Sequence, residues 1–235
     1  MIVELCTGPL TNLILLKKNK LEFTPDLMVQ AAKQIALGCQ HIHSYAIVHF
    51  DLKPDNILYT YSEAEGYIYK IGDFGFAKVI DLSDLSLIRG LFTPQVLGHT
   101  FRYSSPEVSR LTLPVPNNNT FHQMLNPTRV IDQITTEHFK CDIYSYGIIL
   151  YEILNGIKAW GDDNYDSILI KLMAGTRPPI IDRYRRSGTL PSSLSSKDLI
   201  VDTLRRIVEQ SWSQSPSDRP SSFAEILTSL FSLSE

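Results

Sequence analysis

The sequence reads His49-Phe50-Asp51-Leu52-Lys53-Pro54-Asp55-Asn56 at the point that decides its fold. A second motif, Asp73-Phe74-Gly75, follows after two short apolar runs. Together the two motifs place two candidate metal ligands, one candidate base and one lysine within a short span of chain. Such a span predicts loops that hold polar side chains close to one another.

The residue types in these motifs suit phosphoryl transfer from a nucleotide, which needs positioned metal ions, charge neutralisation and an oriented acceptor hydroxyl. Asp51 can accept or align the hydroxyl proton. Lys53, two residues on, can project to the same side of an extended segment and offset charge on the phosphoryl group. Asn56 and Asp73 supply hard oxygen ligands, which suit Mg²⁺.

Each motif alone is weak, because a lone Asp-Phe-Gly is usually a turn and a lone aspartate near an asparagine is usually a cap. The joint pattern is far more specific, and it resembles the catalytic loop and the magnesium loop of the eukaryotic protein kinases. The resemblance implies ATP and Mg²⁺ as cofactors. Asp51 and Lys53 would be catalytic, and Asn56 and Asp73 would hold the metal. Lys53, Asn56 and Asp73 would also bind the nucleotide.

The motifs carry two further expectations. Gly75 lets the backbone turn, so Asp73 should point into the site while Phe74 packs beneath it. Phe50 stands where most regulated kinases have an arginine, which normally pairs with a phosphate on the activation segment. We therefore expect that phosphorylation of that segment does not activate the enzyme by this route. The residues concerned are Ser83, Ser86 and Thr93.

The resemblance extends along nearly the whole chain. Ser105-Pro106-Glu107 resembles the element that closes the activation segment, and the run that begins at Asp142 resembles the start of the central helix of the kinase C-lobe. It implies that Glu107 and Arg219 form a buried ion pair and that Asp142 holds the backbone of the catalytic loop. Arg177-Pro178-Pro179 and the run from Trp212 to Phe223 are similar to later landmarks, especially in the tyrosine-kinase-like group.

Two residues indicate the substrate class. Lys53 resembles the serine/threonine kinases, since tyrosine kinases usually carry different residues there. Thr100 resembles the threonine that contacts the catalytic aspartate and lysine in serine/threonine enzymes, although His99 departs from the usual glycine-threonine pairing. The resemblance therefore implies a serine/threonine kinase whose partners are ATP and a protein that bears the acceptor hydroxyl.

The first residues resemble the strand and hinge that link the two kinase lobes. On that alignment, residues 1–8 are a hinge strand remnant and residues 9–235 form the C-lobe, with a loop insertion at about 111–138. Val3 takes the gatekeeper place. Glu4 and Cys6 would offer backbone groups to the adenine edge, and Leu58 would pack under the adenine ring.

The Gly-rich loop, strand lysine and helix glutamate of the kinase N-lobe have no counterpart in this sequence. We therefore expect a truncated serine/threonine kinase domain, with a non-catalytic, pseudokinase-like interaction module as the alternative. A lobe supplied by a separate chain is a third possibility. A small-molecule phosphotransferase shares the spacing of Asp51 and Asn56, but Glu107, Asp142 and Arg219 argue against it.

Periodicity and turn signals predict an α+β fold that is mainly α-helical, with a small β-hairpin. The resemblance implies that this fold is a protein-kinase-like C-lobe with a remnant hinge strand. Strand-like residues at Met1–Leu5 precede a short helix at 11–18 and a long one that starts at Thr24-Pro25. The hairpin would join residues 57–59 to 68–71. Four later helices are predicted, at Asp142–Leu154, Tyr165–Ala174, Leu199–Ser211 and Phe223–Leu233.

The composition favours a soluble cytoplasmic protein. A net charge of −3 gives no basic face, so neither nucleic acid nor a membrane is favoured as a partner. Cys6, Cys39 and Cys141 are few and scattered, which predicts reduced thiols. His41 and His43 are expected to be core or surface residues and not metal ligands. The sequence does not indicate an oligomeric state.

Overall fold

The computed structural model describes residues 4–15, 23–80, 101–110, 138–181 and 196–234. Two small antiparallel sheets accompany a larger set of helices, which confirms the predicted α+β, mainly helical fold. In chain order the elements are β1 (Gly8–Pro9), α1 (Thr11–Leu15), α2 (Pro25–Ser44), β2 (Ile47–Val48), β3 (Ile57–Ser62), β4 (Gly66–Ile71), β5 (Lys78–Val79), α3 (Pro106–Arg110), α4 (Phe139–Asn155), α5 (Tyr165–Met173), α6 (Ser196–Ser211) and α7 (Phe223–Phe231). The predicted loop insertion lies outside the described residues, apart from His138.

Helix α2 begins where the sequence predicts. Thr24 caps it by accepting a hydrogen bond from the backbone N–H of Leu27 at 3.4 Å. Pro25 fits the first turn, where its missing N–H has no intrahelical acceptor to lose. One face of the helix is buried against α4, α6 and α7, and its apolar residues are Met28, Val29, Ala31, Ala32, Ile35, Ala36, Cys39 and Ile42.

The predicted hairpin forms from β3 and β4, which pair antiparallel from Ile57 opposite Ile71 to Ser62 opposite Gly66. Strand β1 pairs with the other side of β3. Of the strand predicted at Met1–Leu5, Glu4 and Leu5 lie within the described residues and have no regular structure, and the strand that pairs with this side of β3 is β1. Two backbone hydrogen bonds fix the register of β1 against β3. The Thr7 N–H donates to the Tyr59 carbonyl at 2.8 Å, and the Leu10 N–H donates to the Ile57 carbonyl at 2.7 Å.

Helix α4 is the central element of the fold. Every residue from Cys141 to Asn155 is buried, as expected for a helix that is apolar on nearly all sides. Gly147 lets α6 approach closely, because a Cβ there would lie 2.7 Å from the Cβ of Ser211. Its buried Asp142 side chain supports the loop of the site described below.

The remaining helices match their predictions within a few residues. Helix α6 begins at Ser196 instead of Leu199, and α7 ends at Phe231 and continues as a 3₁₀ turn over Ser232–Ser234. Trp160 and Trp212 are both buried in the core. Across the described residues, no helix combines the length and apolar character needed to span a bilayer.

Glu107 and Arg219 form the predicted buried ion pair. The two guanidinium nitrogens Nη1 and Nη2 donate to the two carboxylate oxygens at 2.7 and 2.8 Å. Burial by itself raises the pKa of Glu107, but the hydrogen bonds and charge of Arg219 hold this pKa below its ordinary value. The pair connects α3 to the segment between α6 and α7.

Replacing Arg219 by methionine leaves the Glu107 carboxylate buried and unpaired, so the free energy of unfolding should fall by about 3–5 kcal/mol at pH 7 in urea denaturation. The depressed pKa of Glu107 stabilises the fold above its ordinary value of 4.5, and this stability is lost as the pH falls through the folded-state pKa. The difference between wild type and variant should therefore shrink at low pH.

Lys171→Met is the matched control, since Lys171 is partly exposed and pairs with Asp163 at 2.6 Å near the surface. This variant should change the free energy of unfolding by no more than about 1 kcal/mol. Equal losses in the two variants would contradict the importance assigned to the buried pair.

Glu152, in the last turn of α4, is a second buried carboxyl group, and neutral donors bind it. Its Oε1 accepts from the backbone N–H of Ala159 at 2.8 Å and from the hydroxyl of Tyr103 at 3.0 Å. Burial raises the pKa of Glu152 to about 7, although these hydrogen bonds act in the opposite direction. The folded protein therefore carries a carboxyl group that titrates near neutrality.

Because the folded-state pKa of Glu152 exceeds the ordinary 4.5, its contribution to stability is full below pH 4.5 and is lost as the pH rises through about 7. Glu152→Gln should thus have similar stability to wild type near pH 5 and exceed it by about 3 kcal/mol at pH 8.5. Urea denaturation at the two pH values measures this difference. If the difference in free energy of unfolding between wild type and Glu152→Gln does not change with pH, this prediction is refuted.

Candidate active site

The buried carboxylate of Asp142 holds the loop between β2 and β3. Its Oδ2 accepts from the backbone N–H of His49 at 2.8 Å and from Nε2 of His43 at 2.9 Å. Its Oδ1 accepts from the backbone N–H of Phe50 at 2.9 Å. Asp142 has no exposed surface, so these charge-assisted bonds replace its hydration. The expectation that Asp142 holds this backbone is confirmed.

The loop that Asp142 holds is strained. Phe50 has a φ of 60°, a left-handed conformation that costs a residue with a side chain roughly 1–2 kcal/mol. The N–H groups of Phe50 and of the residue before it are both bound by Asp142. The strained turn is therefore stabilised immediately before Asp51.

His49 joins the two sequence motifs. Its ring is fully buried, with Nε2 3.0 Å from the Gly72 carbonyl and Nδ1 3.3 Å from the backbone N–H of Asp51. A carbonyl oxygen can only accept and a backbone N–H can only donate. These bonds therefore select the neutral ring with its proton on Nε2. The buried ring ties Asp51 to the residue that precedes Asp73.

Asp51, Lys53 and Asn56 form a directly bonded group. Lys53 Nζ donates to Asp51 Oδ2 at 2.8 Å, and Asn56 Nδ2 donates to the same oxygen at 2.9 Å and to the Asp51 carbonyl at 2.8 Å. Asp51 is 2% exposed, and its carboxylate is oriented by both neighbours. Because the Asn56 nitrogen binds Asp51, its amide oxygen is the atom left to bind a cation.

Asp73 lies next to this group through the backbone. The N–H of Gly72 donates to the Asn56 carbonyl at 2.8 Å, so the residue that follows Gly72 is placed near Asn56. The Asp73 side chain is exposed and its Oδ1 accepts from the N–H of Gly75 at 3.3 Å. Within the described ranges, no three histidine, cysteine or acidic side chains gather as a metal site. A cation here would use the oxygens of Asn56 and Asp73.

The conformation of the second motif differs from the prediction. Asp73 adopts the left-handed conformation, with a φ of 55°. An aspartate tolerates this region because its short side chain bonds the local backbone. Glycine at position 75 leaves room for the Asp73 side chain, since a Cβ there would lie 3.2 Å from Asp73 Oδ1. Phe74 does not pack beneath the site: its side chain is 46% exposed, with its ring 5.1 Å from that of His49.

The residues expected to meet the adenine lie on the hairpin side and are not bonded to Asp51. Leu58 is half-buried against Gly72, where a Cβ would lie 3.2 Å from its Cδ1. Glu4 is exposed, and its carboxylate pairs with Lys70, the residue opposite Leu58 in the hairpin. Cys6 is half-buried and leads into β1. Val3 and Thr100 lie outside the described residues.

Two histidines have roles that the sequence analysis missed. His43 was expected to be a simple core or surface residue, yet its Nε2 binds the Asp142 carboxylate, and its ring packs 4.6 Å from Phe139. His49 was quoted only as part of a motif. Neither role has a local signal, because the partners lie far away in sequence. The complete burial of an aspartate, which demands donors, is the observation that would have pointed to His43.

A family model described as "Protein kinase domain" matches residues 1–232. A probable LIM domain-containing serine/threonine-protein kinase of Dictyostelium discoideum is 28% identical over 97% of this chain and 27% of its own length. Serine/threonine-protein kinase atg1 of the same organism is 32% identical over 90% of this chain and 26% of its length. Dual specificity protein kinase pyk3, also from that organism, is 31% identical over 90% of this chain and 12% of its own length. The chain thus spans about a quarter or less of these relatives.

Asp142→Asn should loosen the loop at residues 49–51, because the new amide nitrogen cannot accept from a backbone N–H. The loss of a buried charge-assisted hydrogen bond should lower the free energy of unfolding by about 1.5–3 kcal/mol. Hydrogen exchange should become faster at the amides of His49 and Phe50. Asp163→Asn, at a carboxylate that pairs with Lys171 near the surface, serves as the control. Unchanged protection of the two amides in Asp142→Asn would be incompatible with this account.

Proposed function

The chain belongs to the protein kinase domain family, and we propose that it transfers the γ-phosphoryl group of ATP to serine and threonine hydroxyls of proteins. The observation that carries this proposal is the bonded group of Asp51, Lys53 and Asn56, held by the buried carboxylate of Asp142. Since the chain is about a quarter or less of the length of its relatives, the activity of the whole protein belongs to the same proposal.

Asp51 is proposed to orient the acceptor hydroxyl and receive its proton. Its carboxylate is nearly buried and is oriented by Lys53 and Asn56, which restricts it to one position. Preorganised groups of this kind lower the barrier because they need not reorganise during the reaction. Lys53, bonded to Asp51 through Nζ, is placed to offset the charge of the phosphoryl group next to the hydroxyl that Asp51 orients.

The donor set fits a magnesium–nucleotide complex. Asn56 offers an amide oxygen and Asp73 an exposed carboxylate, and hard oxygen ligands in small number suit Mg²⁺, which keeps water and phosphate oxygens as its other ligands. When bound, the ion supplies charge neutralisation for the phosphates. We propose Asn56 and Asp73 as its protein ligands. For the base of ATP we propose the half-buried face of Leu58, with the backbone of Glu4 and Cys6 at its edge.

The specificity for serine and threonine rests on Lys53 and on the names of two of the relatives, since the third is named as a dual specificity kinase. Phosphoamino acid analysis of a phosphorylated protein mixture distinguishes the two possibilities. Phosphoserine and phosphothreonine support the proposal, and phosphotyrosine at a comparable level contradicts this part of it.

A cytoplasmic location is part of the proposal. All three cysteines are free thiols, and Cys39 and Cys141 are buried. Burial raises the pKa of both thiols, which leaves them unreactive. Reduced, unreactive cysteines are typical of proteins that work in a reducing compartment.

Three aspartates in and near the two motifs should separate chemistry from binding. Asp51→Asn should lower kcat by at least about 100-fold and leave the ATP affinity unchanged. Asp73→Asn should weaken magnesium-dependent ATP binding, measured by calorimetry. Asp55→Asn is the control, because Asp55 is exposed and accepts a hydrogen bond from the Thr11 hydroxyl at 2.9 Å. ATP binding that Asp73→Asn does not weaken, or transfer that Asp51→Asn does not slow, would refute the assigned roles.

A further inference from the structure

Helix α2 binds the outer edge of the hairpin through the side-chain amide of Gln34. The Nε2 of Gln34 donates to the carbonyl of Tyr67 at 3.2 Å, and its Oε1 accepts from the backbone N–H of Tyr69 at 2.7 Å. A residue of a parallel neighbouring strand would bond the same two groups of β4. The amide therefore takes the place of a strand on the side of β4 that faces away from β3.

Three residues of α2 meet β4 along one line. Gln30, Gln34 and Gly38 are spaced four apart, so they lie on one stripe of the helix, which we call the α2 stripe. Gln30 Nε2 also donates to the Tyr67 carbonyl, at 3.0 Å, and a Cβ at Gly38 would lie 2.9 Å from Ile71 Cδ1. Four helical residues rise about 6 Å and two strand residues about 7 Å. The α2 stripe therefore matches alternate residues of β4.

The hairpin carries the two proposed metal ligands at its open end. Asn56 directly precedes β3, and Asp73 follows Gly72, the first residue after β4. The pairing of Ile57 with Ile71 and the bond from the Gly72 N–H to the Asn56 carbonyl at 2.8 Å keep the two ends together. Because the ladder joins the strands, β3 and β4 shift as one unit. A displacement of the hairpin along α2 would therefore displace both ligands.

The rest of the site is held by a different helix. Asp142 of α4 binds the loop that carries Asp51, whereas the α2 stripe binds the hairpin. At its base the hairpin is joined to this loop through Gly72, whose carbonyl lies 3.0 Å from Nε2 of His49. The bond to the Tyr69 N–H lies three residues earlier, about 10 Å along the strand. It therefore sets the direction in which the hairpin extends from its base.

We propose that Gln34 is a positioning residue for the metal–nucleotide complex, because its amide orients the hairpin that carries Asn56 and Asp73. The proposal rests on the proposed function. Gln34 bonds the backbone of Tyr67 and Tyr69 and neither proposed ligand, so it acts through the hairpin. Its loss should weaken the binding of Mg²⁺–ATP and raise the Mg²⁺ concentration that the reaction needs. The binding of the peptide substrate should stay unaltered.

The test compares Gln34→Met with wild type in a Mg²⁺ titration at fixed ATP and peptide concentrations. Methionine is unbranched and similar in length to glutamine, but it cannot make either bond to β4. The Mg²⁺ concentration at half-maximal rate should rise at least about tenfold, while kcat at saturating Mg²⁺ and the KM for the peptide stay within about twofold. A weakened fold would instead lower the rate equally at every Mg²⁺ concentration and leave this midpoint unchanged.

Gln30→Met is the matched control. It removes one bond from the same helix to the same Tyr67 carbonyl, while Gln34 still bonds that carbonyl and the Tyr69 N–H. Its Mg²⁺ midpoint should stay within about twofold of wild type. An unchanged midpoint in Gln34→Met, or an equal rise in Gln30→Met, would overturn the positioning role. A loss of kcat in Gln34→Met that excess Mg²⁺ does not restore would do the same.

Two measurements without turnover separate this proposal from the proposed function. In Gln34→Met, hydrogen exchange at residues 68–73 should become at least about tenfold faster than in wild type and stay unchanged in α4. The affinity for Mn²⁺–ATP, measured by electron paramagnetic resonance, should fall at least about tenfold. A wild type that binds no Mn²⁺–ATP overturns both proposals, and one that binds it without phosphoryl transfer overturns the proposed function alone. Active wild type with unchanged exchange and Mn²⁺–ATP affinity in Gln34→Met overturns the positioning role alone.

Discussion

The structure depends on the burial of one carboxylate, that of Asp142. Removing a carboxylate from water costs several kcal/mol, and the cost is offset only where donors replace the lost hydration. Here the donors are the backbone N–H groups of His49 and Phe50 and the ring of His43. Those same donors define the strained turn before Asp51. The requirement to solvate a buried charge and the requirement to shape the active-site loop are therefore met by the same three hydrogen bonds.

Helix α4 connects this loop to Tyr103, in the segment before α3. Asp142, Ser145 and Glu152 lie within about 80° of one another around a helix of 3.6 residues per turn, and Asp142 and Glu152 are about 15 Å apart along its axis. Asp142 binds the loop that carries Asp51, whereas Ser145 and Glu152 bind Tyr103. One face of a buried helix thus supports both the residues assigned to chemistry and the segment that contains Tyr103. Its apolar surroundings keep these polar contacts free of competing water.

Much of the fold could be predicted from local signals. The cap at Thr24, the helical periodicity and the hairpin between residues 57 and 71 each depend on residues close together in sequence. The ion pair of Glu107 and Arg219 and the role of Asp142 followed from a resemblance and are confirmed. Strand β1 was not predicted, because a two-residue strand is specified by its partner and not by its own sequence.

The remaining misses involve contacts between distant parts of the chain. His43 lies 99 positions from Asp142 in the sequence, so no spacing rule joins them. The left-handed conformation of Asp73 was not predicted, because glycine is the residue that usually adopts a positive φ. A Cβ at Gly75 would lie 3.2 Å from Asp73 Oδ1, so glycine leaves room for this carboxylate.

A crystal structure of the chain with Mn²⁺ in place of Mg²⁺ and a non-hydrolysable ATP analogue tests the central claim most directly. The loop held by Asp142 should bring one metal ion between the Asn56 amide oxygen and the Asp73 carboxylate, and the anomalous signal of manganese locates it without ambiguity. The account predicts an anomalous peak within coordination distance of both oxygens, with Asn56 Nδ2 still bonded to Asp51. A bound nucleotide whose metal lies elsewhere, or an Asn56 side chain turned away from Asp51, would contradict it.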